Sequence, residues 1–376
     1  MKILQTPVRF YPFTGGVENY VYYLSKELVK LGHQVKVVCA QETGETREET
    51  IDGVKVSRVP FTGKVANTNL TWTMPLKLVQ EDFDIMHTHL PTPWNADWSM
   101  IISRLKNKPL VLSYYNDIIG SGLSNYVARF YNSTGLKLLL KAADRIIIIQ
   151  ENYRHFSPHL ADFQDKIVVV PCGVDTDKFR PAPCSMEENS PEGNTLFFLS
   201  VLDEFHHYKG LDYLLEALQI VKKKIPPIKL IVGGKGNLIN YYQEQVNSMG
   251  LENNVEFHGF IPDEKLPDYY NQCDVFVLPS ISSAQEGFGI VALEALACAK
   301  PVISTKIVGI AQDLEETGSG IIVTPKDSQS LADAIINVLN SENSCKMGLS
   351  GRKLVEDKYT WKKVARLTND IYQELV

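Results

Sequence analysis

Short runs of β-branched and aromatic residues alternate with stretches of helical periodicity along almost all of the 376-residue chain. The first run, KILQTPV, is followed by apolar residues at Val17, Tyr20, Val21, Leu24, Leu28 and Leu31, a spacing that predicts one helix face closed by Gly32. QVKVVCA then supplies a strand, so the opening segment predicts a βαβ unit. Further strands are expected at VKVSRVP, FDIMHTH, PLVLSYY, RIIIIQ and KIVVVP. Residues 181–194 are rich in Pro, Ser, Asn and Glu, lack apolar periodicity and read as a linker. Beyond them the alternation resumes. Strands are expected at LFFLSVL, IKLIVGG, NVEFHG, DVFVLPS, KPVIST and GIIV, with helices starting near Leu211, Asn237, Glu264, Phe288 and Ser328. The pattern predicts an α/β protein of two Rossmann-like, doubly wound domains with parallel sheets, over 1–180 and 195–355. A final helix, 356–376, is expected to pack back on the first domain.

Composition narrows the function. Lys and Arg number 38 against 44 Asp and Glu, a formal charge of −6, which argues against an extended nucleic-acid surface. Six scattered cysteines, with no Cys-x-x-Cys pair and no histidine at zinc-ligand spacing, read as reduced thiols of a cytoplasmic protein. The first residues carry a lone Lys and no apolar core of a signal peptide, and the greasiest tracts are strand-sized, so neither secretion signal nor membrane span is expected. One segment leaves two readings open. ARFYNSTGLKLLLKAADR combines Arg129, Lys137 and Lys141 with Leu136, Leu138, Leu139 and Leu140. It reads as a core helix with solvated lysines, or as a peripheral contact with the cytoplasmic face of an anionic bilayer.

Open α/β sheets bind ligands beyond the carboxyl ends of their strands, and two such domains facing each other would enclose a cleft. Candidate chemistry is therefore sought just after strands. Gly15 and Gly16 follow the first strand, where they either make a tight turn or let backbone amides approach a ligand. His87 and His89 share a strand face and are either core histidines or chemical groups. His206, His207 and Lys209 precede a helix at Gly210, a position where an ammonium and free amides can share a phosphate. Glu294 is the one charge in the apolar run FGIVALEALACA, and a buried carboxylate needs donors, from a protein cation or from a ligand's hydroxyls. Glu286 stands before that helix, whose first residues, Phe288, Gly289 and Ile290, can offer amides to a phosphate. Two decoys are rejected. GFGIVA does not follow its strand directly and lacks the acid of a dinucleotide site, and Asp175 and Asp177 of DTD are assigned to a turn, with no metal expected.

Taken in order, TGGVE, DIMHTHLP, PCGVDTDKF, HYKG, GGKGNL and the Glu-x7-Glu pair Glu286 and Glu294 resemble glycosyltransferase family 4, retaining enzymes of the GT-B fold, over nearly the whole chain. The resemblance implies a metal-independent transfer of a hexosyl group from a UDP- or GDP-sugar to a glycan or lipid-linked hydroxyl, with no cofactor. It implies that Glu294 accepts bonds from the donor ribose, Glu286 holds the transferred sugar, and Lys209 neutralises the diphosphate. His89 would contact the donor sugar near the reacting carbon, with Gly16 beside it. Phe288, Gly289 and Ile290 would add backbone contacts, and Gly234 and Gly236 would border the base. Gly15, Tyr115 and Asp117 fall to the acceptor side. Where many relatives have an arginine for the diphosphate, this chain reads Val201, and His206 is the expected replacement. A nucleotide-sugar epimerase and a noncatalytic nucleotide-sugar binder share the architecture.

Overall fold

The computed structural model describes all residues except 14, 42–44, 66–67, 119–123, 152, 183–193 and 283–284. Most of the expected linker, 183–193, thus lies outside the described residues. The chain divides into two compact units, 1–172 with 361–376, and 173–360. The division falls at Cys172/Gly173 and Thr360/Trp361, where the sequence pattern placed it near 180 and 355. Residues 173–180 join the second unit because Val174 bridges Thr360 and Arg352 donates to the carbonyls of Thr176 and Phe179.

In the first unit the elements run β1 (Lys2–Thr6), α1 (Gly16–Lys30), β2 (Gln34–Gln41), β3 (Arg47–Ile51), β4 (Val54–Pro60), β5 (Gly63–Val65) and β6 (Thr68–Leu70). They continue through α2 (Met74–Gln80), β7 (Ile85–Leu90), α3 (Pro93–Leu105), β8 (Leu110–Tyr114), α4 (Ser124–Ser133), α5 (Gly135–Ala142), β9 (Arg145–Ile148), α6 (Tyr153–Phe156) and β10 (Ile167–Val169). The large sheet has the order β10-β9-β8-β7-β1-β2-β4-β3. All its pairs are parallel except β3 with β4. That edge hairpin was not expected, because REETI has no apolar alternation; its turn is made by Asp52 and Gly53, both at positive φ. The segment read as one helix through 128–145 is two, α4 and α5, with Leu136, Leu139 and Leu140 buried and Leu138 exposed.

The second unit contains β11 (Thr195–Leu199), α7 (Leu211–Lys224), β12 (Lys229–Gly233), α8 (Ile239–Ser248), β13 (Val255–Gly259), α9 (Leu266–Gln272) and β14 (Val275–Leu278). It is completed by α10 (Ile290–Ala297), β15 (Val302–Thr305), α11 (Ala311–Thr317), β16 (Gly320–Val323), α12 (Ser328–Asn340) and α13 (Ser344–Lys358). Its six strands are parallel in the order β13-β12-β11-β14-β15-β16. Buried leucines of α7 and α12, among them Leu214, Leu218 and Leu331, cover the sheet and form its core with Phe198, Val232 and Val277. The last helix, α14 (Trp361–Leu375), belongs to the first unit, where Trp361 meets Tyr20 edge-on and stacks on Tyr23 of α1.

Both sheets reverse their strand order once near the middle, at β1 and β7 in the first unit and at β11 and β14 in the second. At such a point the loops leaving neighbouring strands diverge to opposite faces and open a crevice at the strands' carboxyl ends. Gly15, Gly16 and His89 belong to one reversal. Lys209 and Glu286 belong to the other.

Candidate functional site

In the second unit, the loop after β11 ends in a single 3-10 turn, His207–Lys209, and Gly210 follows at φ 79°. A β-carbon at Gly210 would fall 2.2 Å from the carbonyl oxygen of Pro279, so glycine here lets the loop press against the chain leaving β14. The amide of Ile281 donates to the carbonyl of Tyr208 at 2.8 Å and fastens the two loops. The consequence is chemical. Lys209 Nζ reaches both oxygens of Glu286, at 2.9 and 2.8 Å, and Ser280 Oγ donates to the same carboxylate. Glu286 is 3% exposed, so this is a nearly dry ion pair.

Beyond Glu286, Gly289 caps α10 at φ 84°, and a β-carbon there would stand 2.5 Å from a Val308 methyl. Phe288 is buried edge-on against Tyr359, and Ile290 starts the helix. Glu294, in the next turn, does not find the lysine or arginine partner that sequence reasoning allowed: its donor is the hydroxyl of Tyr270, at 2.7 Å. Desolvation by the surrounding apolar residues pushes its carboxyl up to about 7, with the Tyr270 bond and Lys178 opposing the rise.

His206 Nδ1 donates to Asp203 at 2.7 Å, and Asp203 also accepts the His206 amide. Burial works against ionising Asp203, but these bonds hold its carboxyl below the usual range. His207 pairs instead with Asp212 at 3.4 Å and with the Tyr242 hydroxyl. Gly234 and Gly236 have a reason within the protein. β-carbons there would fall 1.6 Å from the Ser200 carbonyl oxygen and 1.9 Å from that of Leu202. Asp175 accepts the amides of Asp177 and Lys178 through one oxygen and is a turn former.

In the first unit His87 and His89 are fully buried on β7, with ring centroids 4.4 Å apart. His87 bonds Tyr372 of α14 at 2.6 Å and Ser113 at 2.8 Å. His89 bonds Gln5 of β1 at 2.7 Å and Tyr115 at 3.1 Å, so both ring nitrogens are engaged. Burial holds His87 down to about 3, and burial with the neighbouring ring holds His89 well below its ordinary value, so both are neutral. Asp117 accepts from the hydroxyls of Tyr114 and Ser157, at 2.7 Å each. Gly15 caps α1 with extended backbone, and a β-carbon on it would meet only the mobile end of Glu18. Gly16 is different: no described atom lies within 4 Å of its missing β-carbon and its φ is not positive.

Sequence reasoning missed the residues that hold these groups in place: Gln5, Ser113, Asp203, Tyr270, Ser280 and Tyr372. Each is a partner that packing brings in, and no local motif marks it.

Two Rossmann-like units, each reversing its strand order at the loops that carry the candidate residues, define the GT-B fold. The chain belongs to glycosyltransferase family 4: the model of Glycosyltransferase Family 4 matches residues 14–178 and that of Glycosyl transferases group 1 matches residues 185–351. It is a hexosyltransferase that uses nucleotide sugars. The O-antigen chain mannosyltransferase C of Escherichia coli is 29% identical over 96% of this chain and 95% of its own length. The GDP-mannose-dependent alpha-(1-6)-phosphatidylinositol monomannoside mannosyltransferase of Mycolicibacterium smegmatis is 26% identical over 94% of this chain and 93% of its own. Among solved structures, HepE of Anabaena in complex with UDP superposes with a TM-score of 0.75 at 19% identity, covering all of both chains. No helix among the described residues is long and apolar enough to cross a membrane.

Proposed function

We propose that the protein is a retaining, metal-independent transferase that moves a hexosyl group, with mannose the first candidate, from a nucleotide-diphosphate sugar to a hydroxyl of a glycan or lipid-linked acceptor. The observation that carries the reading is the nearly dry Lys209–Glu286 pair beside the start of α10. An ammonium and the first amides of a helix at one strand reversal are a preorganised site for a departing diphosphate, and such a site needs no metal to stabilise charge. The sugar is argued from the named specificities of the two mannosyltransferase relatives.

In this reading Lys209, with Gly289 and Ile290 amides and His206, receives the diphosphate. Glu286 holds hydroxyls of the transferred sugar and Glu294 those of the ribose. Gly16 lies against the transferred sugar, and His89, a neutral imidazole, reaches it by giving up its bond to Tyr115 or Gln5. Gly15, Tyr115 and Asp117 serve the acceptor. The chain supplies no separate nucleophile: the acceptor hydroxyl attacks on the face the diphosphate leaves, and a phosphate oxygen takes its proton.

The test is incubation of purified protein with GDP- and UDP-hexoses and a lipid-linked or alkyl glycoside acceptor, in chelator, with the product's anomeric configuration read by NMR. Retention with chelator present is expected. An inverted product overturns the stereochemical assignment, and a new nucleotide sugar formed without acceptor overturns transfer in favour of epimerisation.

A further inference from the structure

The bonds of His87 and His89 belong to a larger polar cluster inside the first unit. Gln5 comes from β1, Ser113 from β8, Tyr115 from the residue after β8, and Tyr372 from α14, so three adjacent strands and the last helix meet at the two imidazoles. Gln5, His87, His89, Ser113 and Tyr372 are completely buried, and Tyr115 is partly exposed. Polar groups this far from water are stable only when donors and acceptors match.

The match can be followed atom by atom. Both histidines are neutral, so each ring has one donor and one acceptor. Gln5 Oε1 lies 2.7 Å from His89 Nε2, and a carbonyl oxygen cannot donate, so the His89 proton is on Nε2 and Nδ1 is bare. Nδ1 must then accept from the Tyr115 hydroxyl, at 3.1 Å. The Tyr115 oxygen accepts in turn, and the Ser113 hydroxyl two residues back is its donor. Ser113 accepts from His87 Nε2 at 2.8 Å, which leaves His87 Nδ1 to accept from the Tyr372 hydroxyl at 2.6 Å. The Tyr372 oxygen leads back to Gln5, whose amide nitrogen completes no hydrogen bond among the described residues but acts on this hydroxyl. Every link runs the same way round. Hydroxyls can turn and imidazoles can change tautomer, so the Gln5 amide sets the direction.

We infer that these six side chains form one closed hydrogen-bonded ring, that the ring holds His89 as its Nε2–H tautomer, and that Gln5 and Tyr372 are thereby positioning residues for the transfer. In a neutral imidazole the bond made at one nitrogen decides what the other can do. Here the bare Nδ1 faces Tyr115, the partly exposed member of the ring, so His89 offers an acceptor to a sugar hydroxyl that takes the tyrosine's place. A ring running the other way would offer an N–H and reverse the polarity of that contact. Tyr372 touches no substrate; it acts through Gln5 and His87, which gives the last helix a task beyond packing. The effect on transfer rests on the proposed contact of His89 with the donor sugar, whereas the tautomer does not.

The experiment labels the histidines of the full chain with nitrogen-15 and reads their tautomers by long-range proton–nitrogen correlation, the His89 signals being assigned by their loss in His89→Asn. Wild type is expected to show His89 protonated at Nε2 alone. Gln5→Met and Tyr372→Phe open the ring, and in each His89 is expected to become a mixture of tautomers. In the same variants kcat should fall about tenfold or more while the donor KM stays within about twofold, because a misdirected bond beside the reacting carbon is felt most in the transition state. A purely structural role would lower the melting temperature and leave the tautomer alone. If one variant fails to fold, the other is read, and if both fail the wild-type spectrum decides. His89 protonated at Nδ1 in wild type, or still protonated at Nε2 alone in the folded variants, overturns the inference. An unchanged kcat where the tautomer has shifted overturns the positioning role. A wild-type protein that transfers no sugar would count against the proposed function, and the spectra would still decide the ring.

Discussion

Lys209 Nζ sits against both carboxylate oxygens of Glu286, at 2.9 and 2.8 Å, although the two residues are 77 positions apart in the chain. The pair exists because the glycine at 210 lets one loop lie on the backbone of the other. Each residue holds its partner ready. In the proposed reading a diphosphate at Lys209 would meet an ammonium already desolvated and aimed, and Glu286 would be released toward sugar hydroxyls.

For Lys209→Ala we expect turnover to fall by two or more orders of magnitude, about 3 kcal/mol, since leaving-group charge is greatest in the transition state. The same substitution leaves Glu286 buried and unpaired, which should cost roughly 3 kcal/mol or more of stability. The double variant Lys209→Ala/Glu286→Gln separates the effects: its melting temperature should recover while turnover stays low. Wild-type activity should survive chelator. A strict magnesium requirement together with an active lysine variant would restore a metal role for Asp175 and Asp177.

What was legible in the sequence was what local pattern encodes. β9, β11 and β16 announce themselves as apolar runs, and an acid inside FGIVALEALACA must be special because the helix offers it no water. The partner of that acid was not legible, since Tyr270 lies on α9 and only packing brings its hydroxyl to Glu294. Likewise β3 is held by pairing and a turn rather than by apolar alternation. The glycines of GGKGN invited a ligand reading, yet their nearest demand is the backbone of Ser200 and Leu202.

That distinction separates two kinds of glycine by experiment. Gly234→Ala should destabilise by about 3 kcal/mol or more, because φ is 122° and a β-carbon would strike the Ser200 carbonyl. Gly16→Ala should leave stability within about 0.5 kcal/mol or raise it slightly. Yet transfer should fall at least tenfold, since the space above Gly16 is assigned to the substrate. Denaturant melts and initial rates on the two variants decide it. An unimpaired Gly16→Ala would remove that glycine from the site.

Val201 stands where many relatives carry arginine, His206 is the expected replacement, and Asp203 occupies its Nδ1. His206→Arg should therefore retain nucleotide-diphosphate affinity and make it less sensitive to pH, because guanidinium keeps its charge where imidazole loses it. His206→Ala should bind more weakly. His207, turned to Asp212 and Tyr242, is the control. Calorimetric titration at two pH values distinguishes them: an effect at His207 and none at His206 would show the diphosphate to be received one residue further along, and no effect at either would leave Lys209 and the helix amides to hold it alone.

Glu294 should act on the same binding curve with the opposite sign. Its carboxyl is raised from the ordinary 4.5 to about 7, so the fold prefers the protonated form. Between these values the native state holds a proton the unfolded chain has released, and stability contributed by this group falls as pH rises from about 4.5 to 7. Glu294→Gln removes that slope, so the variant's melting temperature should gain on wild type at pH 8 relative to pH 5. Donor binding runs the other way, because two ribose hydroxyls are best accepted by the carboxylate. Affinity should rise as pH increases through about 7. Measurement in His206→Arg, whose guanidinium keeps its charge, isolates this rising limb. Tyr270→Phe then removes the hydroxyl that favours the carboxylate, and the midpoint of that limb should move to higher pH. A midpoint that stays in place once the Tyr270 hydroxyl is gone would mean that Glu294 does not set it.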